Sequence, residues 1–513
     1  MGHARRVSLY AFALALAGAA CAPPDDATIE ETARPLSIKK SFTRKIYVHM
    51  MPWFQVGGLH WSLNSRNPAT GVASYYAPMI GEYNSGDSVV IEYQLLMMKY
   101  AGIDGVLVDW PGLNGANDLP QNKANAEAII NRTAAFGLEF GIVYEDQDAV
   151  SIDAAKNDMS YARDNYFNKS NYAKVNNAPL LLDFGPQKIT NPADWTNVLS
   201  VFSTKPTLFT LWYNANAGGN AQGQFAWVAQ NGLKGVSDFD NGLDGGNHGL
   251  MIPVLYPGFN PYYAAGGWPG PTWKISYTLK PDNTEGGDTF SSTFQLGMYA
   301  GDPLQIATWN DYGEGTMIEP TNQFQYKFLT TLQQSVGATY TDAELKIVKM
   351  LYDQRRQFGG SKQAQLDQAS TALATLDVAT ACGILGCTTP VHTGAGGSAG
   401  TTGAAGATGA AGKTGAAGST TGTGAAGVSG TGAAGASGTA GHVGPTGAAG
   451  STGSAGAPST GKAGAGGAAG KPAKGKSGCA VAGTSGDAAP PALALALFAL
   501  ALTRARRTRG RGR

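Results

Sequence analysis

Short apolar runs alternate with amphipathic stretches from about residue 45 to residue 358 of this chain. Runs such as 105–109 and 141–145 have the length and composition of buried strands, whereas 89–100 and 124–136 repeat apolar residues at helical spacing. The predicted strands are 45–54, 105–109, 141–145, 179–184, 207–213, 235–240, 251–256 and 305–309, and the predicted helices are 89–100, 124–136, 154–166, 194–202, 225–230, 289–299 and 342–358. Eight alternating units predict an α/β fold, a (β/α)8 TIM barrel, whose active sites lie at the carboxyl ends of the strands. An open doubly wound sheet is the alternative, but no Gly-rich nucleotide loop follows the first strand.

Composition divides the 513-residue chain into an aromatic-rich part and a low-complexity part. The aromatic-rich part is long enough to bury a large core, and we predict a catalytic domain at 43–365 with a C-terminal extension at 366–392. Within the extension, Cys382 and Cys387 are spaced to close a small disulfide loop in an oxidising compartment. From 393 to 478 most residues are Gly, Ala, Ser or Thr, but the glycine spacing slips and Pro is scarce. That pattern favours a disordered stalk over a collagen triple helix.

Both ends of the chain resemble sorting signals. Basic residues, an apolar stretch and then Cys21 make 1–21 similar to a bacterial secretion signal, which is either a lipoprotein signal or one cleaved at an Ala-x-Ala-like site. A linker follows at 22–42. Segment 479–513 holds Cys479, an apolar run and an Arg-rich end, and it resembles the C-terminal sorting tails of myxobacterial surface proteins. The apolar run is short for a spanning helix, so its removal during sorting and its retention as a marginal anchor remain alternatives. We therefore expect an exported protein at the cell surface or outer membrane, tethered to the cell envelope through its termini or released.

A formal net charge of +1 provides no broad attraction for nucleic acid, and the Arg cluster is confined to the extreme C-terminus. A neutral polysaccharide or glycan is compatible with that balance, and we expect it as the partner of a monomeric protein. The six His residues are scattered without metal-ligand spacing, so we predict no metal and no cofactor.

The strongest lead to function is the octet Trp309-Asn310-Asp311-Tyr312-Gly313-Glu314-Gly315-Thr316, which follows the last predicted strand. Asp and Gly are ordinary turn residues, so the octet alone favours a solvated turn. Other apolar runs also end in a carboxylate residue, and these residues are Asp109, Glu145 with Asp146, and Asp183. Acids at the carboxyl ends of several strands predict one shared rim, and paired carboxylates are the groups that catalyse glycoside hydrolysis.

Four separated motifs, in this order, resemble those of glycoside hydrolase families 71 and 99. They are Tyr47-Val48-His49-Met50-Met51-Pro52-Trp53-Phe54, His60-Trp61, the run 102–110 and the octet 309–316. The resemblance covers about 45–358, and it is also compatible with another member of the clan that contains both families. It implies a (β/α)8 barrel that cleaves α-linked polysaccharides or glycans, which are α-mannosides in family 99 and α-1,3-glucan in family 71.

The family 99 pattern at the octet is Asn-Glu-Trp-Gly-Glu-Gly, so Asp311 replaces the first Glu and Tyr312 replaces the Trp. By that resemblance Glu314 matches the general acid/base. Asp311 matches the residue that deprotonates the sugar 2-hydroxyl, which then attacks the anomeric carbon. On an α-glucan the 2-hydroxyl does not lie trans to the leaving group, so Asp311 would instead position a water for inversion. Glu145 matches a Glu-Pro-Tyr segment of family 99, which implies binding to sugar hydroxyls.

Flat aromatic rings match the C–H faces of sugars, although any single ring is more often part of a core. The expected substrate-binding residues are Glu145, Asp109, Trp53, His60, Trp61, Trp110, Tyr256, Trp309 and Asn310. We predict an endo-acting glycoside hydrolase that cuts α-mannan or α-1,3-glucan with Glu314 and Asp311 as its catalytic residues. The alternative is a catalytically decayed glycan-binding surface protein, which the replacement at Asp311 and the stalk favour.

Overall fold

The computed structural model describes residues 36–212, 214–242, 249–278 and 288–392. The predicted secretion signal at 1–21, most of the linker at 22–42, the stalk at 393–478 and the sorting tail at 479–513 lie outside these ranges. None of the helices within the described ranges combines the length and the apolarity needed to cross a bilayer.

Within the described residues, eight parallel strands form the centre of the molecule. They are β1 (Ile46–Met50), β2 (Gly105–Trp110), β3 (Glu139–Tyr144), β4 (Ala178–Asp183), β5 (Thr207–Leu211), β6 (Gly223–Phe225), β7 (Leu250–Ile252 and Val254–Leu255) and β8 (Leu304–Ile306). Strand β1 pairs with both β2 and β8, and the two segments of β7 pair with β6 and β8. Only Pro253 separates those two segments, so the sheet closes on itself and the predicted TIM barrel is confirmed.

Helices follow most of the strands and cover the outside of the barrel. They are α1 (Leu59–Ser62), α2 (Ser88–Ala101), α3 (Leu119–Thr133), α4 (Ile152–Asn165), α5 (Pro192–Val198), α6 (Leu233–Asp240), α7 (Thr289–Gly297), α8 (Lys327–Val336), α9 (Asp342–Phe358), α10 (Gln363–Ala374) and α11 (Val378–Leu385). Local signals explain several of their first residues. The side chain of Asp87 accepts a hydrogen bond from the N–H of Val89 at 2.9 Å and caps α2, and Thr341 forms a capping box with Glu344 at the start of α9.

The sequence prediction is wrong in the sixth unit of the barrel. The pattern predicts a helix at 225–230 and a strand at 235–240, whereas the structure has strand β6 at Gly223–Phe225 and helix α6 at Leu233–Asp240. The buried residues of α6 are Leu233, Val236 and Phe239, which repeat every three positions as one face of a helix does. The run 225–230 is apolar almost throughout, so its periodicity does not distinguish a strand from a helix.

The strand register brings acids from three strands to one end of the barrel. Asp109 lies opposite Val143 in the pairing of β2 with β3, so Asp109 and Glu145 both lie at the carboxyl end. The octet follows β8 and folds back at the same end, because the N–H of Thr308 donates a hydrogen bond to the carbonyl of Thr316 at 3.0 Å. This is the end of the barrel where active sites of this fold lie.

The segment predicted as a C-terminal extension packs against the barrel. The guanidinium of Arg355 on α9 binds Glu92 of α2 at 2.5 and 2.8 Å and Asp367 of α10 at 2.9 Å. Buried residues of α10 and α11 belong to the same hydrophobic core as the strands. Cys382 and Cys387 are joined by a disulfide bond. The extension and the barrel therefore share one core.

Candidate active site

The octet 309–316 forms a closed turn that holds Asp311 and Glu314. Oδ1 of Asp311 accepts a hydrogen bond from the backbone N–H of Glu314 at 2.9 Å, and the backbone N–H of Asp311 donates to Oγ1 of Thr308 at 2.8 Å. The N–H of Gly315 donates to the carbonyl of Asp311 at 3.0 Å, and Gly315 has a φ of 70°, a left-handed conformation that favours glycine. Both carboxyl groups are therefore carried by one well-bonded loop at the end of β8.

The loop after β7 supports this turn from a second side. The backbone N–H of Asn260 donates to the carbonyl of Glu314 at 2.9 Å, and that of Tyr262 donates to the carbonyl of Gly313 at 2.8 Å. A Cβ on Gly313 would lie 2.9 Å from the hydroxyl oxygen of Tyr263, so glycine is required for this close approach. Burial, and then the charges of both acids of the turn, raise the pKa of the Tyr263 phenol well above its usual value. Tyr263 therefore lies beside both carboxyl groups.

Burial and charge raise the pKa values of both acids. Asp311 is 4% exposed and Glu314 is 5% exposed. Burial raises the pKa of Asp311 to about 6, against the opposing effect of backbone N–H groups in the turn. Burial, and next the charge of Asp311, raise the pKa of Glu314 well above its usual value. The charge of Asp311 thus favours the protonated form of Glu314, and acid–base chemistry on a glycosidic bond needs one acid that holds its proton beside one that accepts a proton.

Asp109 and Glu145 form a second carboxyl pair at the same end of the barrel. They share a side-chain hydrogen bond, and Nε2 of Gln147 donates to Oε2 of Glu145 at 2.8 Å. Burial raises the pKa of Asp109 to about 7, and burial followed by the charge of Asp109 raises the pKa of Glu145 well above its usual value. The charge of Asp311 also acts on Asp109, so the two pairs are close together. In the described ranges no group of three or more His, Cys, Asp or Glu side chains is arranged to hold a metal ion.

Asn310 supports the turn from inside the barrel. Its Oδ1 accepts from the backbone N–H of Met51 at 2.8 Å, and its Nδ2 donates to the carbonyl of Met51 at 3.0 Å and to the hydroxyl of Tyr83 at 3.1 Å. The hydroxyls of Tyr83 and Tyr312 both donate to Oε2 of Glu319 at 2.9 Å. The Asn310 side chain is fully buried and its oxygen and nitrogen both bind protein groups. The structure therefore does not support a sugar-binding role for Asn310.

Four of the five aromatic residues predicted to stack on sugars are buried in the core. Trp61, Trp110, Tyr256 and Trp309 are each 0% exposed. Trp61, for example, packs on Phe54 with 4.2 Å between ring centroids and donates its indole N–H to the carbonyl of Tyr83 at 2.8 Å. A ring without accessible surface cannot receive a sugar, so the structure does not support stacking by these four residues. We assign them to the packing of the barrel.

Trp53 lies in the loop after β1, and His60 lies on the helix α1 that follows this loop. Their rings are stacked with 4.6 Å between centroids and 14° between planes, and Trp53 is partly exposed. Nε2 of His60 lies 3.8 Å from a carboxylate oxygen of Asp118. A pocket of about 300 Å³ is lined by Trp53, Gln55, Gly58, Leu59, Asn117 and Asp118. An aromatic face beside carboxylate and amide groups is suited to a sugar ring.

Two other strand-end acids lie outside this site. Asp146 accepts hydrogen bonds from the backbone N–H groups of residues 187, 188 and 189 at 2.7 to 2.8 Å. Asp183 is 0% exposed and lies opposite Tyr144 in the strand register. The hydroxyl of Tyr144 donates to Asp158 of α4, so this side of the strands faces the helices. The predicted shared rim therefore includes Asp109 and Glu145 but not Asp146 or Asp183.

Sequence reasoning missed two aromatic residues that interact with the turn or its acids. Tyr263 lies against Gly313, as described above. Trp227 follows β6, and its indole acts on the Glu314 carboxyl. Both come shortly after a strand end, so a correct assignment of β6 would have brought Trp227 to attention.

No protein-family model matches this chain, and no curated protein matches it. Among solved structures, the GH99 endo-alpha-mannosidase from Bacteroides thetaiotaomicron is similar over 59% of this chain and 98% of its own, at 17% identity and a TM-score of 0.44. A second structure of that description, in complex with BIS-TRIS-propane, is similar over 60% of this chain and 98% of its own, at 16% identity and a TM-score of 0.44. A glycoside hydrolase-like protein is similar over 59% of this chain and 96% of its own, at 13% identity and a TM-score of 0.45. Likeness at this level does not carry a substrate or a mechanism to this chain.

Proposed function

We propose that this protein is an endo-acting glycoside hydrolase that cleaves an α-linked polysaccharide or glycan. The observation that carries the proposal is the pairing of Asp311 with Glu314 in one closed turn at the carboxyl end of β8. Burial raises the pKa of Asp311 to about 6, and burial together with the charge of Asp311 raises the pKa of Glu314 well above its usual value, which favours a proton on Glu314. Glu314 then donates a proton to the leaving oxygen, and Asp311 acts as the base.

The second carboxyl pair binds the sugar in this proposal. Asp109 and Glu145 share a proton close to Asp311. A hydrogen-bonded carboxyl pair offers both acceptors and a donor, which suits the adjacent hydroxyls of a sugar ring. Glu145 is partly exposed, so a substrate can reach it. Asp109 is only 8% exposed, and its hydrogen bond to Glu145 orients the Glu145 side chain.

The substrate is α-mannan or α-1,3-glucan, and each sugar assigns a different task to Asp311. On an α-mannoside, Asp311 removes the proton of the 2-hydroxyl, which lies trans to the leaving group and attacks the anomeric carbon. On an α-glucoside the 2-hydroxyl is not trans, so Asp311 activates a water for inversion. The four motifs that resemble those of families 71 and 99 support this substrate class.

An endo-acting enzyme must hold several sugars of a chain at once. The pocket beside Trp53 provides a platform for a sugar away from the scissile bond, since its ring is partly exposed and lies in the loop after β1. The composition of the termini supports export and a cell-envelope location for the enzyme.

The decisive experiment incubates the full chain with α-mannan and with α-1,3-glucan and measures new reducing ends. We expect wild-type protein to cleave one of the two polymers, with the anomer released identified by proton NMR. Glu314→Gln and Asp311→Asn should both abolish cleavage, whereas Glu139→Gln, at the opposite end of the barrel, serves as the matched control. Undiminished cleavage by both active-site variants would refute this site.

A second candidate function is a glycan-binding surface protein without catalysis. The observation that favours it is the hydrogen bond from the Glu314 N–H to Oδ1 of Asp311, since an aspartate that only caps a turn makes the same bond. Retention of the full chain on immobilised α-mannan or α-1,3-glucan, without any new reducing ends, would support this function over hydrolysis.

A further inference from the structure

We infer that Trp227 is a positioning residue of the active site, whose indole N–H stabilises the Glu314 carboxylate once that acid has given up its proton. The inference rests on the proposed function, and it adds to the site a residue from a different strand. It concerns the general acid and not the identity of the sugar.

Trp227 is held firmly inside the mouth of the barrel. Its ring meets His49 edge-on with 4.8 Å between centroids and meets Phe184 edge-on at 4.9 Å. Its side chain is 1% exposed, so water cannot accept a hydrogen bond from its N–H. The backbone next to it is tied to β8, because Nε2 of Gln305 donates to the carbonyl of Ala226 at 2.5 Å. This packing leaves the indole little freedom to turn away from the site.

A buried donor and a buried acceptor are close to each other here without a well-aligned hydrogen bond. Nε1 of Trp227 and Oε2 of Glu314 are both inaccessible to water, and neither has a hydrogen-bond partner within the described ranges. The indole N–H is nevertheless within hydrogen-bonding reach of the carboxyl, and this interaction lowers the pKa of Glu314 against the larger effects of burial and of Asp311. Buried polar groups are nearly always paired, and an unpaired one needs an explanation such as a catalytic role.

The proposed reaction creates a charge at this place. As the bond between the anomeric carbon and the glycosidic oxygen breaks, its electron pair stays on that oxygen, which takes the proton from Glu314. The anomeric carbon bonds to the attacking oxygen, whose proton passes to Asp311. Glu314 is left as a carboxylate, and the N–H of Trp227 can then complete its hydrogen bond. A fixed donor that gains its partner only as charge develops favours the transition state over the resting acid.

Asp311 and Trp227 act on Glu314 in opposite directions. Asp311, on the same turn, is negative and opposes ionisation of Glu314. Trp227, on the loop after β6, is the group that favours the charged form. We therefore expect the removal of its N–H to have a distinct effect on Glu314.

The test replaces the indole by a ring without an N–H, in the full chain. Trp227→Phe keeps a ring against His49 and Phe184, and we expect kcat on the cleaved polymer to fall about tenfold to a hundredfold with KM nearly unchanged. Loss of a donor to the charged form raises the pKa of Glu314, so the alkaline limb of the pH–rate profile should move to higher pH. A carboxyl ¹³C NMR titration, with the Glu314 signal assigned through Glu314→Gln, should show the same upward shift without any need for activity.

A packing control separates the N–H from the shape of the ring. Phe184→Leu changes the contact with Trp227 but leaves the N–H in place, so the Glu314 titration should stay at its wild-type position. Should Trp227→Phe not fold, 3-benzothienylalanine at this position provides a second variant, because it has sulfur in place of the N–H and almost the same shape. The inference is overturned if removal of the N–H leaves the Glu314 titration unchanged, or if Phe184→Leu shifts it equally. Failure of the proposed function would appear separately, as wild-type protein that cleaves neither polymer.

Discussion

The backbone N–H of Glu314 donates a hydrogen bond to Oδ1 of Asp311 at 2.9 Å, so the two acids of the site are joined through the turn that carries them. Oδ1 of Asp311 is therefore committed to the shape of the turn. The residue thus combines a structural role with a proposed chemical role. Different substitutions at this position separate the two roles.

Asp311→Asn should abolish catalysis without opening the turn. The amide oxygen of Asn can still accept from the N–H of Glu314, but the charge is lost. We expect cleavage to fall by roughly 10²- to 10⁴-fold, the range for loss of a general base, while the free energy of unfolding hardly changes. Asp311→Ala should lose the cap as well, which lowers the free energy of unfolding by about 1 to 2 kcal/mol. Reducing-end assays and denaturant unfolding measure both, and an active Asp311→Asn variant would exclude Asp311 as the base.

The rate of cleavage should depend on pH as a bell-shaped curve. Asp311 must be ionised and its pKa is about 6, so the rate should rise as pH increases through about 6. Glu314 must be protonated, and because burial and the charge of Asp311 raise its pKa, the rate should fall only at higher pH. A profile of kcat/KM against pH checks this expectation. A rate that is highest below about pH 4 and declines towards neutrality would contradict the assigned roles.

Trp53→Ala should weaken binding of long substrates more than it slows the chemistry. The partly exposed ring lines the pocket in the loop after β1, so its loss removes a platform for one sugar. We expect KM for the polymer to rise roughly tenfold, which corresponds to about 1.4 kcal/mol, with kcat nearly unchanged. Tyr299→Ala is the matched control, since Tyr299 is an exposed aromatic residue before β8, at the opposite end of the barrel. Equal effects of both substitutions would argue against a sugar platform at Trp53.

Adjacent arginines on α9 should differ sharply in their contribution to stability. The side chains of Arg355 and Glu92 are 8% and 4% exposed, whereas those of Arg356 and Asp87 are 42% and 28% exposed. Arg355→Met leaves a buried carboxylate without its partner, and we expect the free energy of unfolding to fall by about 3 to 5 kcal/mol. Arg356→Met should change it by about 0 to 1 kcal/mol. Denaturant unfolding of the two variants tests this contrast. Equal decreases in the free energy of unfolding would show that burial does not increase the contribution of the Arg355–Glu92 pair to stability.

The elements of the barrel could be predicted where their apolar spacing is distinctive. Helix α9 begins and ends at the predicted residues 342 and 358, because a capping box marks its start and its apolar face repeats at helical spacing. The sixth unit could not be predicted, because 225–230 is apolar on all sides and Leu233–Asp240 is too short for its pattern to stand out. That local ambiguity also hid Trp227 from the predicted site.

By itself, the sequence determined the alternating barrel, the boundary with the low-complexity region and the positions of acids at strand ends, since these follow from local spacing and composition. Only the tertiary structure decided that Asp109 and Glu145 pair beside Asp311 whereas Asp183 is turned towards the helices. It likewise decided that Trp53 is accessible and Trp309 is fully buried. The physical reason is that burial, protonation and contact depend on groups from distant strands, and these groups come together only when the sheet closes.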